Sequence, residues 1–193
     1  MRDRLGLHAA DLLTMRLFLA IPLPEPVSAR LSEVASRLKI GRPLPEENLH
    51  LTIAFLGEQR EPVLEELHYE LERIGQQAFP VVFGPLGTFG DSPGTVHAEV
   101  LLSEGLRSLH RSVMGAVHNA GVTLERRRFR PHVTIARLPR HSAPGDHAEV
   151  ARFLGVHAAT PLPGFTADRL VLYRSWLRPE GALYEELADY PLG

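Results

Sequence analysis

His50-Leu51-Thr52-Ile53-Ala54 and His132-Val133-Thr134-Ile135-Ala136 are nearly the same words written twice in one chain. In an extended strand, residues two apart share a face. His50 and Thr52 therefore point one way, and His132 and Thr134 do the same in the second copy. Leu51 with Ile53, and Val133 with Ile135, point to the opposite face and are expected to pack against helices. Each motif so offers one imidazole and one hydroxyl to a single surface, anchored from behind by aliphatic side chains. A lone His-x-Thr recurs in strands for packing reasons alone. Two copies, both followed by Ile-Ala, are poorly explained that way.

Outward from the motifs, the chain divides into two halves of like order: strand, helix, His-bearing strand, helix, strand. In the first half, strands are expected over Arg16–Pro22 and Asn48–Leu56. A helix over Pro24–Lys39 carries Val27, Leu31, Val34 and Leu38 on one face. A second helix covers Glu61–Gln76, and a strand pair or long bent strand covers Phe79–Phe89. In the second half, strands are expected over Val96–Leu102 and Arg130–Leu138. Helices cover Glu104–Ala120, ended by Gly121, and Asp146–Leu154. Strands over Phe165–Trp176 and Ala182–Tyr190, joined by Pro179 and Gly181, close the chain. Phe18 precedes His50 by 32 positions and Ala98 precedes His132 by 34, which matches the two halves strand for strand. Related halves usually face each other about a pseudo-two-fold axis, so His50 and His132 are expected to approach across one groove, with imidazoles about 5–8 Å apart.

Composition limits the function. The chain has 193 residues, 44% apolar and 23% charged, ordinary values for one compact domain. Its net charge of −2 gives no global field for nucleic acid, so RNA must be met by a local patch. There is no cysteine, which excludes disulfides, thiolate metal sites and cysteine nucleophiles and suits a cytoplasmic protein. Apolar runs are too short to span a bilayer. Residues 1–14 lack a signal-peptide core and are expected to be a disordered extension, or an upstream start-site assignment, ahead of a domain of residues 15–193. Lys39 is the only lysine, so arginine is the default cation and a single arginine says little about phosphate.

Two facing histidines suit phosphodiester cleavage. A neutral imidazole takes a proton from a nucleophile while an imidazolium gives one to the leaving group on the far side of phosphorus. The Thr52 and Thr134 hydroxyls can donate to the non-bridging oxygens, where transition-state charge gathers. This scheme needs no metal and no cofactor. No P-loop, serine-hydrolase elbow or zinc ligand set is present; His141 and His147 stand in a loop without partners at zinc spacing.

The motifs resemble those of the 2H phosphoesterase superfamily, in particular its bacterial RNA 2′,3′-cyclic phosphodiesterase branch, also called 2′-5′ RNA ligase. The resemblance spans nearly all of Met15–Leu192. It includes Arg16-Leu-Phe-Leu-Ala-Ile21, Asn48-Leu-His-Leu-Thr-Ile-Ala-Phe-Leu-Gly57, Phe129-Arg-Pro-His-Val-Thr-Ile-Ala-Arg137, Leu172-Tyr-Arg-Ser-Trp-Leu177 and Tyr184-Glu-Glu-Leu187. It implies a bilobal α+β fold in which two antiparallel sheets face a central cleft, with helices outside. It also implies hydrolysis of RNA or nucleoside 2′,3′-cyclic phosphate ends to the 2′-phosphate. His50 would be the proton donor to the 3′-oxygen and His132 the base that activates water. The residues themselves do not separate donor from acceptor.

Among other candidates, Arg126, Arg127, Arg128, Arg130, Arg137 and Arg140 cluster about the second motif, with Glu125 the only nearby acid. Arg137 matches an arginine the family uses at the cleft. It lies five residues past His132, so a β-bulge or strand end is needed to bring it to the histidine's face. Arg130 has the parity of His132. Phe55, Phe129, Tyr173 and Trp176 are candidate base-stacking surfaces, Trp176 first among them. Three other functions compete with the hydrolase: an ATP-independent 2′-5′ RNA ligase running the same site in reverse, a relative acting on 2′-5′-linked or other cyclic phosphates, and a non-catalytic RNA-end-binding module. The expected state is a monomer away from membranes.

Overall fold

The structure is a computed structural model that describes residues 14–90, 94–125, 127–139, 145–178 and 181–193. It is an α+β fold of helices on antiparallel sheets. In chain order the elements are β1 Thr14–Pro22, α1 Glu25–Ala35, β2 Arg42–Pro43, a 3-10 turn Glu46–Asn48, β3 His50–Arg60 and α2 Glu61–Glu72. Then come β4 Phe79–Val81, β5 Phe83–Thr88, β6 Thr95–Val100, α3 Glu104–Asn119, β7 His132–Arg137 and α4 Asp146–His157. The chain ends with β8 Phe165–Ala167, β9 Arg169–Arg178 and β10 Gly181–Pro191. One four-stranded sheet has the order β10-β9-β1-β3 and the other β2-β7-β6-β5, while β4 and β8 form a separate ladder.

The sheets share a plan: β9-β1-β3 in one corresponds to β5-β6-β7 in the other, with each His-bearing strand beside the opening strand of its half. Register corrects the expected match, since Phe18 stands opposite Phe55 as Thr95 stands opposite Arg137, so Phe18 corresponds to Thr95 and not to Ala98. β1 begins at Thr14, two residues early, and residues 1–13 of the expected extension lie outside the described residues.

Every residue of β1 from Leu17 to Ile21 is buried, because both faces are covered. Leu17, Leu19 and Ile21 join the main core under the helices. Phe18 and Ala20 join Val171 and Tyr173 in a smaller apolar cluster on the other face, the one that carries His50. α1 and α2 stop short of the ranges that their sequence patterns predict, and α4 runs past Leu154 to His157. α1 ends at Ala35, after which Ser36 donates its hydroxyl to the Glu33 carbonyl and tighter turns carry Leu38 into the core. α3 is capped by Ser103, whose Oγ accepts from the Leu106 amide at 3.2 Å, and it ends before Gly121 at φ +79°. Packing is crosswise: α1 lies against β7 and α3 against β3, and β3 touches β7. Each half therefore supports the other's histidine strand.

The short β2 is absent from the sequence expectations, hidden in Gly41-Arg42-Pro43. Gly41 makes it possible. At φ +75° it holds a conformation that disfavours side chains, and a Cβ there would collide with the Arg137 carbonyl oxygen. Gly41→Ala is expected to cost at least about 2 kcal/mol, the sum of left-handed strain and the clash. Urea unfolding measures the loss, and an unchanged midpoint would contradict the close β2–β7 approach.

Candidate active site

Both histidines are held by the same device. His50 Nδ1 lies 2.9 Å from the Asn48 carbonyl oxygen, and His132 Nδ1 lies 2.7 Å from the Arg130 carbonyl oxygen. A carbonyl only accepts, so Nδ1 carries the hydrogen in each ring. The proton that comes and goes is then on Nε2, which the tether leaves free. In both motifs the carbonyl belongs to the residue two before the histidine, so the tether is built into the chain at the strand's start.

The isoleucines explain why both motifs continue with Ile-Ala. Thr52 pairs with Ala20 and Ala54 with Leu19, which leaves Ile53 as an extra residue. Thr134 pairs with His97 and Ala136 with Val96, which leaves Ile135 extra in the same way. Both isoleucines are buried, as are the alanines after them. These bulges reverse the alternation. Beyond them, Phe55 opposite Phe18 returns to the face of His50, and Arg137 opposite Thr95 returns to the face of His132. The bulge needed for Arg137 is thus present.

The surroundings of the two rings differ. His50 sits in an aromatic box: Phe18 at 4.8 Å between centroids, Tyr184 edge-on at 5.2 Å and Tyr173 at 6.2 Å. Desolvation in this box pushes its pKa down from 6.5 to about 4, against the Asn48 hydrogen bond, which favours charge. The charge of His132 also lowers it, so the two rings lie within electrostatic reach of one another. His132 is met edge-on by Phe89 at 4.8 Å and by His97 at 5.1 Å. Arg130 lies over the other ring in this group, its guanidinium carbon 4.4 Å from the Phe89 centroid.

The pattern also has a match outside this chain. The family model described as the 2′-5′ RNA ligase superfamily matches residues 23–176. The chain belongs to that superfamily, the 2H phosphoesterases that its two motifs resemble. A Thermus thermophilus protein named RNA 2′,3′-cyclic phosphodiesterase is 33% identical over 195 residues, which is 92% of this chain and 90% of that protein. A Geobacillus stearothermophilus protein of the same name is 30% identical over 183 residues, 91% of this chain, and the chain spans 56% of that relative's length. The solved structure of E. coli LigT without ligand is similar in fold, with a TM-score of 0.75 at 24% identity, covering 92% of this chain and 97% of that one.

Of the residues expected at the 2H site, His50, Thr52, His132 and Thr134 lie on the two motif faces, Arg137 reaches the second by its bulge, and Arg130 comes beside His132 through Phe89. Trp176 does not join them. Alternation puts it on the reverse face from Tyr173, where Arg174 covers its ring at 3.7 Å and Glu185 accepts from its Nε1 at 3.0 Å. Tyr173 is buried at the box wall, Phe55 is 65% exposed, and Phe129 stacks on His110 at 3.9 Å, packed against the core. Arg127 is paired with Glu125 at the surface; Arg126, Arg140 and His141 lie outside the described residues. Among the described residues, no three His, Asp or Glu side chains are grouped to hold a metal, and no helix is long and apolar enough to cross a membrane.

His97 escaped the sequence reading. It is fully buried, stacked on Phe89 at 4.0 Å, and neither ring nitrogen has a partner. Only its position opposite Thr134 marks it, and that needs the register. Desolvation first, then the charges of His132 and Arg130, push its pKa from 6.5 to about 4. The sign follows from linkage: below about 6.5 the unfolded chain binds protons that folded His97 and His50 refuse, so stability falls as pH drops towards 4. His97→Leu removes an unpartnered buried imidazole and is expected to stabilise the protein by about 1–2 kcal/mol near pH 5. It should also flatten the loss of Tm between pH 6.5 and 4. A pH series of thermal melts checks both, and a steeper loss in the variant would contradict this account of His97.

Proposed function

We propose that the protein hydrolyses RNA or nucleoside 2′,3′-cyclic phosphate ends to the 2′-phosphate, with His50 and His132 as acid and base. The matched pair of backbone-tethered imidazoles carries the reading: each presents Nε2, and the charge of His132 reaches His50. The names of the Thermus and Geobacillus relatives support the same activity.

In the proposed step, His132 Nε2 takes a proton from water as its oxygen bonds to phosphorus. The bond from phosphorus to the 3′-oxygen breaks, and His50 Nε2–H gives that oxygen its proton. The product carries a 2′-phosphate and a free 3′-hydroxyl. Thr52, Thr134 and Arg137 meet the charge on the non-bridging oxygens. Water in excess drives the step towards hydrolysis, although the same groups serve the reverse ligation by microscopic reversibility.

His50→Ala and His132→Ala should each lower turnover about 10²–10⁴-fold, with the double variant far less than multiplicatively worse. Turnover should survive EDTA. Assays on nucleoside 2′,3′-cyclic phosphates decide, and full activity in folded His132→Ala would refute the mechanism.

The donor role adds a requirement. A His50 that titrates near 4 is neutral in the free protein at pH 7. A phosphate anion between the rings must restore its proton. NMR titration should find His50 near 4 alone, and at or above the ordinary value of 6.5 with a nucleoside 2′-phosphate bound. A value that stays near 4 would exchange the roles of the two histidines.

A further inference from the structure

We propose that the groove between β2, β7 and the β9–β10 hairpin is a subsite for the backbone phosphate that precedes the reacting end of a single-stranded RNA. The inference rests on the proposed hydrolase and narrows its substrate class, from any 2′,3′-cyclic phosphate to oligonucleotide ends.

The groove has a volume of about 630 Å³, and Arg42, Arg137 and Arg178 line it with one carboxylate, Glu47.

Arginine is common in this chain, so pairing and position say more than number. Arg30, Arg37, Arg73, Arg107, Arg111, Arg127, Arg152 and Arg169 all pair with glutamates. Arg42, Arg137 and Arg178 form no ion pair among the described residues. Arg42 and Arg137 stand directly opposite one another in the β2–β7 ladder, where like charges repel without an anion between them.

The groove is also built. Gly41 lets β2 close on Arg137, and the bare Gly181 makes room for Arg42, whose Nη2 lies 2.9 Å from where a Cβ would stand. Asn48 donates its Nδ2 to the Ala182 carbonyl at 2.9 Å and pins the hairpin to the residue whose own carbonyl holds His50. Tyr184 belongs both to the groove and to the box around His50, so the two are continuous.

Charge sets the direction. The cavity on the other side of His50 is lined by Glu25, Glu46, Glu47 and Glu186 against Arg169, and it repels a phosphate chain. The arginine groove attracts one, and guanidinium forks match phosphate oxygens. Leu177 and Leu183, 70% and 44% exposed, line the same groove and offer apolar surface to a base.

The test compares a nucleoside 2′,3′-cyclic phosphate with a short oligoribonucleotide that ends in the same group. Wild type should favour the oligomer about tenfold in kcat/KM. Arg42→Gln/Arg178→Gln should lose that advantage and change less than about twofold on the mononucleotide, and Arg178→Glu alone should act in the same direction. Each lost phosphate contact should lower the slope of log affinity against log salt by about 0.7. Fluorescence anisotropy with an oligomer ending in a 2′-phosphate reads the subsite without turnover. Salt-dependent binding that the double variant loses, in a protein that hydrolyses neither substrate, would uphold the subsite and remove the hydrolase reading. Equal kcat/KM on both substrates in wild type, equal losses on both in the variants, or preference for an acidic peptide over RNA would overturn the subsite.

Discussion

One extra residue in each histidine strand sets the geometry on which the site depends. Ile53 and Ile135 are left out of their ladders, and each pushes an apolar side chain into the core while its strand shifts register. Without the bulge, a side chain five residues past the histidine would face the helices. With it, the imidazole, the hydroxyl and that later side chain share one surface. The two halves then diverge at the same position, Phe55 in one and Arg137 in the other. A duplicated scaffold thus supplies an apolar ring on one side and a cation on the other, an arrangement that suits the base and phosphate of the proposed substrate.

The bulges hold their register because the strands are supported from the opposite half. α1 packs on β7 and α3 on β3, so neither histidine strand is supported only by its own half. The backbone tether adds precision at small cost. Asn48 and Arg130 stand two residues before the histidines that open their strands, and their carbonyls fix ring orientation and tautomer without a second side chain. No buried carboxylate is needed to orient either ring.

Much of this was legible in the sequence, and the reasons are physical. His50, Thr52, His132 and Thr134 were readable because strand alternation is local. The repeated Ile-Ala was visible too, but its meaning was not, since a bulge is defined by the partner strand. β2 was missed because two residues carry no periodicity, and Gly41 declares itself only by its approach to Arg137. Trp176, an aromatic near a turn, reads as a platform in the sequence, which does not show that Arg174 lies over its ring face and Glu185 accepts from its N–H. His97, Arg42 and Arg178 had no local signal. Each matters through what lies across a ladder or a groove from it.

In the proposed hydrolysis, two imidazoles with the same tether do opposite work. Acid and base are told apart by surroundings that favour different protonation states. His50 is enclosed by Phe18, Tyr173 and Tyr184, and desolvation there disfavours its charged form, which in the proposed mechanism an anion restores. Its acidity is therefore coupled to occupancy of the site. In that mechanism the proton gained with the bound anion is the one that His50 gives to the departing 3′-oxygen. His132 has another imidazole and Arg130 as neighbours in place of the tyrosines. Aromatic enclosure on one side and nearby cationic and imidazole groups on the other make two copies of one motif chemically unequal, and the inequality comes from residues outside the motif.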